Sequence, residues 1–414
     1  MNLIMKQQTI ATLVLLTVAL GILSTGVASA DTIYVPDNYK TIQLAVTNAS
    51  TNDTIIVRDG AYTENVDVDK RLTIRSENGS VDCIITAADS GCDVVQITAD
   101  NVIITDLTLT GADGGYMATR GVEISANNCS LIGNRLHDNG VSVTVSAWCN
   151  FSKIIDNEIY SNGLAAMLLD KCGEGHYIHN NSFYGNEGPA IYMRSNNSIV
   201  VHNNIFLNAG RAITVDGYHN QIKNNCIGGN EYGVYINGAS YNTITSNNIY
   251  NSSDTGIYLQ YSSNGNIIYN NQFNNSNNAY DNGTNIWNTT PVTGPNIVGG
   301  PFIGGNYWSD YKGMDNNSDG FGDIPYNVNG TGESNIDHLP LVMPMCGDIT
   351  GDGNIDTVDL LLLLEHVVKG TPVDAGIGDI DGNGHINVLD VRLLMGYINN
   401  PGGYSLHCGY QTGE

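Results

Sequence analysis

The sequence predicts a mainly β chain: a long stacked solenoid with an N-terminal capping helix, followed by a small helical module. Two observations carry this. An asparagine returns at 134, 157, 181, 204, 225, 248 and 271, every 21 to 24 residues, and each period holds a glycine before a short alternating strand, as in Gly121-Val122-Glu123-Ile124, Gly233-Val234-Tyr235-Ile236 and Gly256-Ile257-Tyr258-Leu259. Periods of this length, with β-branched triplets between turn residues and almost no helical spacing, belong to repeats that stack one rung on the next. Near the C-terminus, two Asp/Gly-rich segments each run into an apolar helical pattern, Leu360 to Val368 and Val391 to Ile398.

Taken in order, Lys6, the apolar run Ala11 to Leu23 and the small-residue site Ala28-Ser29-Ala30 read as a secretory signal over residues 1–30. The run is short of the roughly 18 to 20 residues of an anchor helix, and no later segment is apolar enough to span a membrane. The expected product is secreted and extracellular, associated with the cell surface through a partner. A solenoid must hide its first apolar cross-section. Tyr39 to Val46 has helical spacing of apolar residues and leads into Thr54-Ile55-Ile56-Val57, so it is read as the cap. Rungs are expected over residues 31–298, a closing segment over 299–344 and the helical module over 345–410. The recurring asparagine is expected to form an internal ladder whose amides satisfy turn backbone.

A net charge of −25 argues against nucleic acid as a partner. Eight cysteines in an exported chain are disulfide candidates. Cys83 and Cys92 are close in sequence, Cys129, Cys149 and Cys172 recur near the repeat spacing, and Cys226 is an odd partner.

The run Tyr34-Val35-Pro36, Thr41-Ile42-Gln43, Asp53 to Val57, Gly60 to Val66 and Leu72-Thr73-Ile74 resembles the opening of right-handed parallel β-helix proteins of the pectate-lyase-like class. Gly305-Asn306-Tyr307-Trp308-Ser309-Asp310-Tyr311, with Asp323-Ile324-Pro325-Tyr326 and Asp337-His338-Leu339-Pro340-Leu341, resembles the closing segment of NosD-like β-helix proteins. The resemblance covers most of residues 31–344 and implies a right-handed parallel β-helix associated with carbohydrate binding or processing at cell surfaces. It names no single reaction. NosD also carries an association with copper. His179 and His202 fall two residues before the asparagine marker and are expected to stack, yet two histidines with no third soft ligand in register make a weak metal site.

Asp348 to Asp359 and Asp379 to Asp390 place oxygen side chains at positions 1, 3, 5, 9 and 12, with Gly353 or Gly384 at position 6 and a backbone carbonyl at position 7. That is the pattern of a calcium loop. The duplicated loop-helix resembles a dockerin, which implies calcium-dependent folding and docking onto a cohesin-bearing scaffold. The resemblance assigns Asp348, Thr350, Asp352, Asn354, Asp356 and Asp359 to one ion, and Asp379, Asp381, Asn383, His385, Asn387 and Asp390 to the other. With four carboxylates against three, the first loop is expected to bind more tightly. Cohesin recognition falls at Thr357, Val358, Val388 and Leu389, more apolar than the Ser-Thr pairs of familiar dockerins. Cys346 and Cys408 bracket the module and are expected to clasp its ends. Asp315, Asn317, Asp319 and Asp323 match the first nine positions of a third, weaker loop, although Tyr326 at position 12 offers no carboxylate.

Side chains alternate along a strand, so outward residues of successive rungs form columns about 4.8 Å apart. Aligned on the glycines, one column reads Glu123, Thr144, Leu168, Tyr192, Thr214, Tyr235 and Tyr258. The next reads Ser125, Ser146, Asp170, Arg194, Asp216, Asn237 and Gln260. Tyr192, Tyr235, Tyr258 and Glu123 are the expected substrate contacts, with Asp170, Arg194 and Asp216 as the candidate catalytic set, because sugars are held by aromatic faces and by charged groups forking onto hydroxyls. Carboxylates two rungs apart lie about 9 to 10 Å apart, near the limit for an inverting glycosidase pair. Arg194 between them disfavours a protonated acid. Lys171, His176, Tyr218 and His219 on the following turns are expected to complete a site. A protein that binds or processes surface polysaccharide, as a polysaccharide lyase or glycoside hydrolase would, is the leading expectation; a non-catalytic surface-layer spacer is the alternative, and NosD-like copper handling is the third.

Overall fold

The computed structural model describes residues 30–408 apart from 115–118, 318, 332–334, 352 and 374. The signal-peptide expectation lies outside these residues. Three parallel eleven-stranded sheets wind around one core, a parallel β-helix. Sheet A runs from Thr32–Val35 to Ile267–Tyr269, sheet B from Gly60–Thr63 to Tyr307–Trp308, and sheet C from Val66–Val68 to Asn329–Gly330. Sheets B and C thus take their last strands from the closing segment. Each strand sends β-branched or large apolar residues inward: Ile154, Ile178, Val200, Ile222 and Ile244 in sheet A, and Leu136, Ile159, Phe183, Ile205 and Ile227 in sheet B, are wholly buried. Parallel pairing without stagger stacks like on like, so each inward column is a continuous apolar strip.

The turns explain the asparagines. Between sheets A and B a single left-handed residue, such as Asp156, Asn180, His202, Asn224 or Ser246, turns the chain. The asparagine after it points inward. The buried ladder therefore reads Asn134, Asn157, Asn181, Asn203, Asn225, Asn247 and Asn271. This corrects the marker at 204 and 248, where a doublet hides which member faces in. A second ladder, Asn139, Asn162, Asn186, Asn208 and Asn230, lines the turn from B to C. A third, Asn220, Asn242, Asn266 and Asn285, lines the turn from C to A.

Both ends are sealed. The helix Ile42–Asn48 starts at Thr41, whose side chain accepts from the Leu44 N–H, and it covers the first rung with Ile42, Ala45 and Val46. Glu64 accepts from the free N–H groups of Ile42 and Gln43, both at 3.0 Å. Lys70 donates to the carbonyls of Val46, Thr47 and Ala49 at 2.7 to 3.1 Å. The next rung thus places opposite charges at the two ends of the helix dipole. Glu64→Ala or Lys70→Ala is expected to cost about 1–2 kcal/mol each, read from denaturant unfolding of the β-sheet signal. At the far end the asparagine ladder passes to Asn306 and then to the buried carboxylate of Asp337, which accepts from the Asn306 N–H at 2.7 Å and from the Trp308 indole at 2.9 Å.

The C-terminal module has its own core of Leu363, Ile380, Leu394 and Cys408. Its main helices, Thr357–Lys369 and Val388–Asn399, begin three residues before the expected starts, because Asp356 and Asn387 form capping boxes with Asp359 and Asp390. Cys346 and Cys408 form a disulfide. The other six cysteines are free, so the bridges considered among Cys83, Cys92, Cys129, Cys149, Cys172 and Cys226 do not form. Among the described residues no helix is long and apolar enough to cross a membrane.

Candidate functional site

The outward face of sheet C carries the columns read from the sequence. Glu123, Thr144, Leu168, Tyr192, Thr214, Tyr235 and Tyr258 pair Cα to Cα on successive strands, and Tyr280 extends the series. In the adjoining column Arg194 lies 3.3 Å from Asp170 and 3.9 Å from Asp216. Asp216 also accepts from the Tyr192 hydroxyl at 2.8 Å and the Asn237 amide at 2.9 Å. Burial first, and then this bond to Asp216, raises the Tyr192 phenol above its ordinary value. All three charged groups are half-buried.

The rings do not behave as the sugar-stacking argument requires. Tyr235 stacks on Tyr258 at 5.3 Å, and Tyr258 on Tyr280 at 4.8 Å, both within 12° of parallel. Arg211 lies 3.6 Å from the Tyr235 ring centre. In a parallel solenoid a column of aromatics spends its faces on its own neighbours, so the solvent meets ring edges and hydroxyls. Tyr235 is 6% exposed and its hydroxyl is bonded to Gln260. This face offers sugar hydroxyls a donor in Arg194, acceptors in Asp170 and Asp216, and phenol oxygens beside them, and has no open ring face at Tyr258.

Three groups on the same sheet escaped the sequence reading. Arg120 lies 3.6 Å from Asp93 and 3.4 Å from Glu123. Burial pushes the Asp93 carboxyl above its usual range, the Arg120 N–H pulls it back, and the Glu123 carboxyl adds to the rise. Arg211 and Arg120 each stand next to the glycine that precedes an alternating triplet, Gly210 and Gly121, outside the triplets themselves; that position was the available signal.

Of the turn residues expected to complete a site, Lys171 and Tyr218 are exposed, and His219 is stacked on Tyr241 at 5.4 Å. His176 instead points inward and serves as a rung of the third ladder: Ser152 N–H points to its Nδ1 at 3.3 Å, and its own N–H donates to Ser198. Burial lowers its pKa to about 4. A neutral histidine in the fold that protonates when unfolded supports the fold fully above about pH 6.5, and that support is lost as pH falls toward 4. His176→Asn, which keeps an acceptor in the ladder, is expected to remove this part of the acid sensitivity, measured as melting temperature from pH 7 to 4. Asp337, raised by burial to about 6, works in the opposite direction and is common to both proteins.

In the helical module, Asp348 accepts from Gly351 and Gly353 N–H groups, and Asp359 from Thr350 and Asp356. Asp352 lies outside the described residues. In the second loop, Asp379 accepts from Asn383 and Gly384, and Asp390 from Asp381 and Asn387. Asp379, Asp381 and Asp390 bring carboxylate oxygens within 4.8 Å of one another, with Asp379 and Asp390 buried. Three carboxylates so close repel unless a cation joins them, so this donor set fits calcium, with the His385 carbonyl at position 7. Asn387, like Asp356 at the same place in the first loop, caps the following helix through its Oδ1, which accepts from the Leu389 N–H at 2.8 Å. In the 315–323 loop, Asp315 accepts from Asp319 and Gly320, while Asp323 turns to Asn316. Its carboxylates do not gather as those of the second loop do; among the described residues Asp379, Asp381 and Asp390 are the one such group.

Residues 46–313, well over half of the chain, match the family described as periplasmic copper-binding protein (NosD). The chain belongs to the NosD family. Residues 346–399 match the dockerin type I domain, a domain that binds calcium and implies a cohesin partner. Over 141 residues this NosD protein is 32% identical to a cell surface glycoprotein of Methanothermus fervidus, an alignment taking in 33% of this chain and 22% of that protein. Among solved structures it is similar to an alginate lyase from Paenibacillus sp. str. FPU-7, at 18% identity and a TM-score of 0.49 over 62% of this chain and 99% of that one. It is also similar to the A-module of the mannuronan C-5 epimerase AlgE6 of Azotobacter vinelandii, at 17% identity and a TM-score of 0.45 over 59% and 92% of the chains.

The histidine pair expected in NosD terms is out of register. His179 is a strand residue level with Val201, whereas His202 is the left-handed turn residue after it. The rings meet edge to face at 5.7 Å and share no third His, Cys, Asp or Glu with converging ligand atoms among the described residues.

Proposed function

We propose that the protein is an exported, calcium-loaded dockerin protein whose β-helix binds surface polysaccharide and which is delivered to a cohesin-bearing scaffold. The observation that carries the glycan part is the Asp170–Arg194–Asp216 cluster, a half-buried row of charged forks bordered by phenol oxygens on an open sheet face. Vicinal sugar hydroxyls take such paired donors and acceptors. With Arg194 between both carboxylates, binding is a better use of the cluster than acid catalysis. Arg194→Ala is expected to weaken polysaccharide binding by about tenfold, the cost of an exposed charged hydrogen-bonding group, measured on an array of neutral and acidic polysaccharides in calcium buffer. If the wild type neither binds nor depolymerises any of them, or if a variant with Asp170→Ala, Arg194→Ala and Asp216→Ala matches it, the glycan reading falls.

The surface-layer spacer is the second reading, and the self-stacked tyrosines favour it: ring faces spent on neighbouring rungs stiffen a rod. In the docking module, two ions bind, the first loop more tightly than the second because Asp348, Asp352, Asp356 and Asp359 outnumber Asp379, Asp381 and Asp390. Calorimetry on single-loop variants checks the order. The helix starts present Val358, Val388 and Leu389 to solvent, each about half exposed or more, which suits an apolar cohesin contact that also includes Thr357.

A further inference from the structure

A second surface, on sheet B, carries an aromatic column that a glycine interrupts at one rung. His137, Tyr160, Tyr184 and Phe206 stack on four successive rungs with ring centres 4.8 to 5.2 Å apart. The next residue in the column is Gly228, and the one after it is Tyr250. Phe206 therefore has one face on Tyr184 and its other face toward a rung without a side chain. Tyr250 leans back into the vacant position, its ring tip against the place a Cβ on Gly228 would take. Its hydroxyl lies 3.9 Å from Cys226 Sγ. Beside them Leu207 is 67% exposed in a left-handed conformation, and it leans over Gly229. A large aliphatic residue that is both exposed and left-handed is uncommon. Gly228 thus breaks an otherwise continuous aromatic column, and the tilted Tyr250 ring forms the floor of the break.

The gap is a cavity of about 460 Å³, bounded by Phe206, Leu207, Tyr250, Asn204 and Asn251. At Asn251 it meets a second cavity of about 460 Å³ lined by asparagines and serines, Asn274 and Ser276 among them. Neither is lined by a charged residue. We propose that the pair forms a binding slot for a neutral oligosaccharide, with one pyranose ring stacked by its C–H face on Phe206 and the next unit held by the amides and hydroxyls around Asn251. Aromatic face, flanking amides and room for a hexose are what a pyranose needs. A uronate is disfavoured, because no cation offsets its carboxylate in a chain of net charge −25. The site lies on a different sheet from Arg194 and stands independently of the glycan reading of sheet C.

The test is calorimetric titration of the full secreted chain, calcium-loaded, with cellohexaose, mannohexaose and xylohexaose, and with an oligoalginate of similar length. At least one neutral hexasaccharide is expected to bind and the oligoalginate not to compete with it. Phe206→Leu, which keeps an apolar residue on Tyr184, and Gly228→Val, which fills the slot and displaces only the flexible end of Tyr250, are each expected to weaken it about tenfold. Unchanged melting of both variants shows that the fold is kept. The proposal is overturned if no neutral hexasaccharide binds the parent, if both variants bind like the parent, or if Arg194→Ala abolishes the same binding, which would assign the sugar to sheet C.

Discussion

Chelating calcium with EGTA is expected to unfold residues 346–408 and abolish retention on an immobilised cohesin, while the β-helix melts as before. The module has four fully buried apolar or cysteine residues, Leu363, Ile380, Leu394 and Cys408, and a core of that size does not offset chain entropy. The Cys346–Cys408 bridge closes a separation of 62 residues, a constraint of about 4 kcal/mol in the chain-entropy treatment. Against it stand the buried carboxylates Asp359 and Asp390, each wholly inaccessible, and the crowding of Asp379, Asp381 and Asp390. Each calcium present at a thousandfold excess over its Kd adds about 4 kcal/mol to the folded state. Removing both ions therefore removes more than the bridge supplies. The same balance ranks the variants: Asp348→Ala, in the loop with more carboxylates, is expected to lower the melting temperature of the module more than Asp379→Ala. Helical circular dichroism that survives EGTA at low micromolar protein would count against calcium as the organising ligand.

How far the sequence could be read followed from how local each determinant is. Parallel pairing repeats the same side-chain direction on every rung, so a correct period places Glu123, Tyr192, Tyr235 and Tyr258 in one column without any knowledge of side-chain conformation. The calcium loops are equally legible, since their residues lie within one short segment. Illegible features depend on direction in space. Which asparagine of the pair 203–204 faces inward is decided by the left-handed conformation of His202, a residue with no strong signature for it. That the tyrosines spend their faces on each other follows from rung spacing and ring rotation. Asp93, Arg120 and Glu123 meet because Arg120 opens the strand Arg120–Ile124 with its N–H on the Asp93 carboxylate of the previous rung at 2.8 Å, outside the alternating pattern. His176 passes for a surface turn residue because serine, histidine and asparagine all present an acceptor at that ladder position.

The asparagine doublet also yields the second large effect. Asn203→Ala is expected to cost about 3–5 kcal/mol, whereas Asn204→Ala, its immediate neighbour, changes stability by less than about 0.5 kcal/mol. Asn203 Oδ1 accepts from the Asn181 N–H at 2.9 Å and its amide at 3.0 Å. Its own amide donates to the carbonyls of Ile178 and Val201 at 3.0 and 3.1 Å and to Asn225 at 3.0 Å. Truncation takes the partner from the Asn181 N–H and this donor from the Ile178 carbonyl in the interior, while the Val201 carbonyl keeps the Asn180 N–H at 3.2 Å; each group left unpaired costs about 1–3 kcal/mol, and the Asn181 and Asn225 side chains on either side lose a partner as well. Asn204 is the exposed first residue of the strand Asn204–Phe206, and water replaces what its side chain loses. Because each rung touches only its neighbours, a break at Asn203 weakens the stack on both sides and lowers the cooperativity of unfolding as well as its midpoint. Guanidinium unfolding of the two variants in saturating calcium, with sheet content as the signal, separates them. Equal midpoints would mean that the ladder is decoration on a core held by Ile178, Val200 and Ile222 alone, and unequal ones that the turns carry as much of the solenoid as its apolar columns do.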